Sequence, residues 1–238
     1  MDDSIFVQEQ AKRNIKKNRK LVGNPRILKP RSCLTKYVDV LNNTYNISST
    51  AIFTLLNGIS AGTDFYNRIN RVVNGQELKL TLTFTTTPSG AGNYATPDVA
   101  RIIVFWDHQG IATPVASDIL LSVNNAGTTN TSNICHRNIN NKERFIFLVD
   151  CLYALPAYSY LGASTTTGVT SGHTVNSKNW SKTFNIDLNN LITRYNGTSS
   201  GITNITNGAL YFFVLGSVLN TSSDWSVTMT SSFVYVDV

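Results

Sequence analysis

Residues 78–84 alternate strictly, with Leu78, Leu80, Leu82 and Phe84 apolar against Lys79, Thr81 and Thr83. That period of two marks a strand with one face in a core and the other in water. The stretch 209–215 is apolar at every position and predicts a strand covered on both faces. The same logic places strands at 35–41, 51–56, 76–87, 99–107, 118–122, 144–153, 182–188, 209–217 and 225–237. Asn74-Gly75, Pro88-Ser89-Gly90, Asn196-Gly197 and Asn207-Gly208 punctuate them as turns. Residues 187–192 read as a helical turn capped by Asp187, and 162–172 as a Ser/Thr/Gly surface loop. About eight core strands joined by long loops, with no βαβ alternation, predict an all-β fold: an eight-stranded jelly-roll sandwich.

The first twenty residues break this pattern. Val7, Ala11 and Ile15 recur at spacing four, Ser4 can cap, and acids precede bases, so one short helix is predicted. Its apolar stripe is thin, and such a helix needs a partner to persist in water. Gly23, Pro25 and Pro30 make 21–32 an extended linker, and the domain boundary falls near Lys36. The chain is thus divided into an arm, 1–36, and a β domain, 37–238.

Charge sharpens that division. The arm holds ten Lys or Arg against Asp2, Asp3 and Glu9, a net +7, whereas 37–238 carries a net −1. Only 14% of the chain is charged, and Asn, Thr and Ser fill 77 of its 238 positions. A segregated basic arm on a neutral body is the electrostatic footprint of a polyanion-binding protein. The residues assigned to phosphate contact are Lys12, Arg13, Lys16, Lys17, Arg19, Lys20, Arg26, Lys29 and Arg31. Such a run also has the composition of a nuclear-import signal. Phe6 is its only aromatic residue, so base stacking is not expected within the arm.

Candidate chemistry adds little. Cys33, Cys135 and Cys151 are an odd set with no CxxC spacing, and are read as free thiols. Asp2 and Asp3 precede the first apolar residues, unlike a secretory signal, and no apolar run is long enough to span a membrane. His108 follows Asp107 and could be offered Ser117 or Cys135 as nucleophile, but no third group orients the pair. Glu77, Glu143 and Asp150 read as solvated strand-end carboxylates beside bases. No enzymatic activity is expected.

Several segments carry a family resemblance. The run Leu56-Asn57-Gly58-Ile59-Ser60-Ala61-Gly62-Thr63-Asp64-Phe65-Tyr66-Asn67-Arg68-Ile69 resembles the NGI-x-x-G-x-D-x-x-x-R segment of small icosahedral virus capsid proteins. These include the coat proteins of satellite necrosis viruses and of circular, Rep-encoding single-stranded DNA viruses. Arg101-Ile102-Ile103-Val104-Phe105-Trp106-Asp107 is similar to their R-x-I-x-F-W-D strand, and Arg144-Phe145 with Leu148-Val149-Asp150 to their R-F-x-x-L-x-D strand. Tyr195-Asn196-Gly197, then Gly208-Ala209-Leu210-Tyr211 and Gly216, resemble the family's closing segments.

The resemblance implies a capsid protein that self-assembles into an icosahedral shell of about sixty copies, T=1, with the arm inward on a single-stranded genome. It favours DNA over RNA, and implies residence in the virion after assembly in the host nucleus or cytoplasm. It places Ca2+ candidates at subunit contacts on Asp64 and Asp237. The other expectation carried forward is a monomeric or low-oligomer, lectin-like jelly-roll binding module whose basic tail serves localisation.

Overall fold

The computed structural model describes residues 35–86, 94–95, 97–121, 132–156, 158–159, 179–217 and 224–238. The predicted helix at 1–20, the linker at 21–32 and the loop at 162–172 lie outside them. The strands are β1 (Thr35–Asn46), β2 (Ile52–Leu55), β3 (Val72–Thr86), β4 (Tyr94–Ala95), β5 (Asp98–Asp107), β6 (Phe145–Leu155), β7 (Tyr158–Ser159), β8 (Trp180–Tyr195), β9 (Ile205–Asn207), β10 (Ala209–Leu215) and β11 (Trp225–Asp237). Among the described residues they are interrupted by a helical turn, α1 (Ala116–Ile119), and by two 3-10 turns, Ile139–Asn141 and Ile202–Asn204.

Two sheets form the body, ordered β1-β11-β3-β8-β9 and β2-β10-β5-β6, with β4 and β7 paired separately. All pairings between named strands are antiparallel. The fold is all-β and sandwich-like, with one core cluster drawn from both sheets. Aromatic contacts cross between the sheets: Tyr45 of β1 stacks on Phe212 of β10, and Phe84 of β3 meets Tyr153 of β6.

The period-two run behaves as its pattern demands. Leu78, Leu80, Leu82 and Phe84 are buried, while Thr81 and Thr83 face out and share hydroxyl contacts with Thr183 and Ser181 of β8. All seven residues of β10 are buried, as the unbroken apolar run predicts. Its position explains this. It lies between β2 and β5; Phe212 on one face meets Tyr45 of the other sheet, and Tyr211 and Phe213 on the opposite face pack against Phe53 and Phe105.

Two predicted elements take another form. The described part of the predicted strand, 118–121, forms no strand: Asp118 and Ile119 belong to α1, and Leu120 keeps one bridge, to Arg137. A three-residue apolar run can be placed by a helical turn as well as by a strand; here Ile119 and Leu120 are buried and Leu121 is left partly exposed. Residues 187–192 form no helical turn but belong to β8. Asp187 Oδ1 accepts from Asn189 N at 2.8 Å, and Asn189 and Asn190 take φ of 47° and 62°. An Asp that can cap a helix can equally close an Asx turn, and Asn tolerates the left-handed region. The irregularity lies where β3 shifts register between Gly75 and Glu77.

Candidate functional site

The nine arm residues assigned to phosphate contact lie outside the described residues. Lys36, placed in the arm by its charge, is the second residue of β1 and is buried. Its Nζ pairs with Asp237 at 2.9 Å and donates to the Asn67 carbonyl at 2.7 Å. Asp237 also accepts from Ile69 N at 3.2–3.3 Å, so this proposed calcium ligand is occupied in holding the start of β1 to the end of β11. Asp64 is exposed, and its Oδ2 accepts from Asn67 Nδ2 at 3.1 Å. Among the described residues no group of three or more His, Cys, Asp or Glu could hold a metal ion.

The family-like segments turn out to bind one another. Asn57 is fully buried: Nδ2 donates to Thr193 Oγ1 and to the Gly208 carbonyl, and Oδ1 accepts from Leu210 N, all at 2.8 Å. Gly58 is required because a Cβ there would overlap the Ser200 carbonyl oxygen. The buried Arg68 guanidinium donates to the carbonyls of Ile59, Asn70 and Gly197, and lies 4.1 Å from the Tyr195 ring centroid. Burial pushes Tyr195 far above its ordinary phenol range despite that cation, so its Oη stays protonated and donates to the Asn57 carbonyl at 2.6 Å. These segments are joints between loops, with no reactive group among them.

The two strand motifs are likewise complementary. β5 runs Arg101 to Asp107 and β6, antiparallel to it, follows Arg144 toward Asp150, so each arginine meets the other strand's acid. Arg101 is bidentate to Asp150 at 2.8 and 2.9 Å, and Arg144 to Asp107 at 3.0 and 2.8 Å. Arg101 Nη1 reaches on to the Asn133 and Cys135 carbonyls, and Arg144 Nη1 lies 3.7 Å from Asp118. Both pairs therefore tie the β5–β6 connection down over β5. Asp107 is fully buried and its carboxylate is taken up by Arg144 and Gln109 N, while His108 is exposed.

Asp150, expected to be a solvated carboxylate, instead lies between Arg101 and Arg137, whose Nε is 2.7 Å away. Burial raises its pKa, but the hydrogen bonds and charges of the two arginines outweigh that and hold it below the ordinary carboxylate value of 3.8. A folded pKa below the unfolded one stabilises above the unfolded value, and the benefit fades as pH falls through the folded one. Denaturant midpoints of the wild type are therefore expected to drop as pH falls below about 4, the ordinary carboxylate value. Asp150→Asn should lower the midpoint at pH 5 and flatten the drop; an equal drop in the variant would place the titration elsewhere.

Over the tied-down connection lies a feature that period and motif did not reveal. Ile111, Val115, Ile134 and Ile139 of the connection are exposed, Ile111 and Ile134 at 71%, and Ile146 and Leu152 of edge strand β6 are exposed beside it in sequence. Isolated isoleucines in a polar loop carry no periodic signal, so only the solvent accessibility of the folded chain exposes them. A second exposed set, Tyr37, Phe65, Tyr66 and Ile69, belongs to β1 and the β2–β3 loop.

Fold and site together define an all-β sandwich whose family-like residues are structural and whose exposed surface is neutral and partly apolar. Neither protein-family models nor curated proteins produce a match to the chain. Among solved structures, similarity is found to "Desmodium yellow mottle tymovirus" at 11% identity and TM-score 0.29, covering 86% of each chain. An infectious bursal disease virus VP2 subviral particle is similar at 9% identity and TM-score 0.24, over 85% of this chain and 33% of that one. The Gx strain of the same virus gives 7% identity and TM-score 0.21, over 86% and 42%.

Proposed function

We propose that this chain is a capsid subunit that assembles with its own copies into a closed icosahedral shell and packages single-stranded nucleic acid through its basic arm. The orders β1-β11-β3-β8 and β2-β10-β5-β6 are read as an eight-stranded jelly roll, with β9 and the β4–β7 pair as additions. The observation that carries the self-assembly is the set of exposed aliphatic side chains on the β5–β6 connection. Ile111, Val115, Ile134 and Ile139 are exposed on described parts of a connection that Arg101 and Arg144 hold to β5, and exposed aliphatic side chains so held suit packing against another protein. The low charge of the body reduces the desolvation cost of burying its flanks.

The arm completes the reading. With Lys36 held by Asp237, each arm carries a net +6, and in a T=1 shell sixty arms would bring on the order of 360 positive charges to the genome, with release of its counterions. DNA is the favoured genome, the virion the destination, and the host nucleus or cytoplasm the place of assembly. A divalent cation at a subunit contact would use the exposed Asp64 rather than Asp237, which Lys36 already holds.

Electron microscopy of the purified full chain should show closed shells containing nucleic acid. Removal of residues 1–34 should leave the body folded and abolish the nucleic-acid content, read from the ratio of absorbance at 260 and 280 nm. Arm-less shells that still carry nucleic acid would contradict the packaging role. A constant mass near 26.2 kDa at every concentration would contradict assembly and favour a monomeric binding module.

A further inference from the structure

The arm's shortage of aromatic rings leaves a nucleic acid held there with phosphate contacts and no stacking partner. The body offers rings at the point in the chain where the arm ends. Tyr37 is the third residue of β1, and the β2–β3 loop sets Phe65 against it, ring centroids 5.4 Å apart at 68°. Phe65 and Tyr66 are 46% and 58% exposed.

The loop that presents them is clamped. Lys36 donates to the Asn67 carbonyl, Asp237 accepts from Ile69 N, and Tyr235 Oη donates to the Tyr66 carbonyl at 3.2 Å. Arg68, between them, anchors the loop to the Ile59 carbonyl at 3.1 Å. Three exposed rings on a rigid support are preorganised for a flat ligand, with little ordering left to do on binding.

We propose that Tyr37, Phe65 and Tyr66 form a platform on which bases of a single-stranded nucleic acid stack. The inference rests on the packaging role and adds a base-contacting site to it. Three observations favour a nucleobase over a second copy of the chain. The surface assigned to self-association is aliphatic, whereas this one carries three rings beside Ile69, with Tyr37 and Phe65 edge to face, which leaves the face of the edge-on ring available. Nine Lys or Arg precede Thr35 in the same chain, so a strand gripped by them is tethered at high local concentration near Tyr37. Arg71 is exposed just past the loop, and the one acid of the loop, Asp64, already accepts from Asn67.

The test titrates nucleic-acid-free full chain with a labelled oligo-dT strand at several salt concentrations. Phe65→Leu with Tyr66→Leu keeps the apolar area and removes the rings. Affinity should fall about tenfold per ring, while the slope of log K against log salt stays unchanged because no phosphate contact is lost. Phe65→Trp with Tyr66→Trp should restore binding, and 5-iodouracil placed in the strand should crosslink to Tyr37, Phe65 or Tyr66. Wild-type affinity in the leucine pair overturns the platform, and an assembly defect accompanying that normal affinity reassigns the rings to a second copy. Crosslinks confined to other residues overturn it as well. Absence of any oligo-dT binding by the wild type defeats the packaging role first and the platform with it.

Discussion

Arg144→Met is expected to destabilise the body by roughly 3–5 kcal/mol, the cost of leaving a buried charge without its partner. Asp107 has no solvent exposure, and besides the two arginine bonds it accepts from Gln109 N at 2.9 Å. The hydrogen bonds from Arg144 to Asp107 outweigh burial and hold the guanidinium above its ordinary pKa, so the arginine keeps its charge. Denaturant unfolding monitored by tryptophan fluorescence measures the loss. The double variant Arg144→Met with Asp107→Asn should recover much of it, because the orphaned charge is gone. A loss below about 1 kcal/mol in the single variant would mean that Asp107 finds water, in conflict with its burial. Since Arg144 also anchors the connection that bears Ile111 and Ile139, the single variant should assemble poorly as well.

Gly208→Ala should cost roughly 2–5 kcal/mol, from the left-handed backbone penalty and from overpacking. Gly208 has φ of 79°, and a Cβ would overlap the Ile192 carbonyl oxygen and the Trp106 ring. Neither can retreat: Ile192 lies in β8, and Trp106 is fully packed in β5. Gly208 also accepts, at its carbonyl, from Asn57 and from Thr193 Oγ1 at 2.8 and 2.9 Å. Displacement there would loosen the join between the β2–β3 loop and β10. A thermal midpoint within a few degrees of wild type would show that the turn can open without breaking that join.

How much was legible depended on the range of the interaction. The alternation of Leu78–Phe84 and the solid apolar run of β10 report a local property, which faces of a strand are dry, and both match the folded chain. Segments 118–121 and 187–192 took other forms because the cue was too short: three apolar neighbours, or one Asp before Asn and Leu, satisfy several backbone shapes equally. The folded neighbours chose between them. Asp150 failed for another reason. Its nearest base in sequence, Arg144, pairs with Asp107 instead; Arg101, forty-nine residues away, reaches it only through the β5–β6 register.

By composition and period alone, the chain declares an all-β body with a neutral surface and a cationic leader, since hydropathy and charge belong to individual residues and survive any arrangement of them. What needed the third dimension was partnership: Arg144 with Asp107, Arg101 with Asp150, Asn57 with the β8–β10 turn, and Tyr37 with Phe65. Those pairs are fixed by antiparallel register and by where the loops cross, and a one-residue slip in either would separate them.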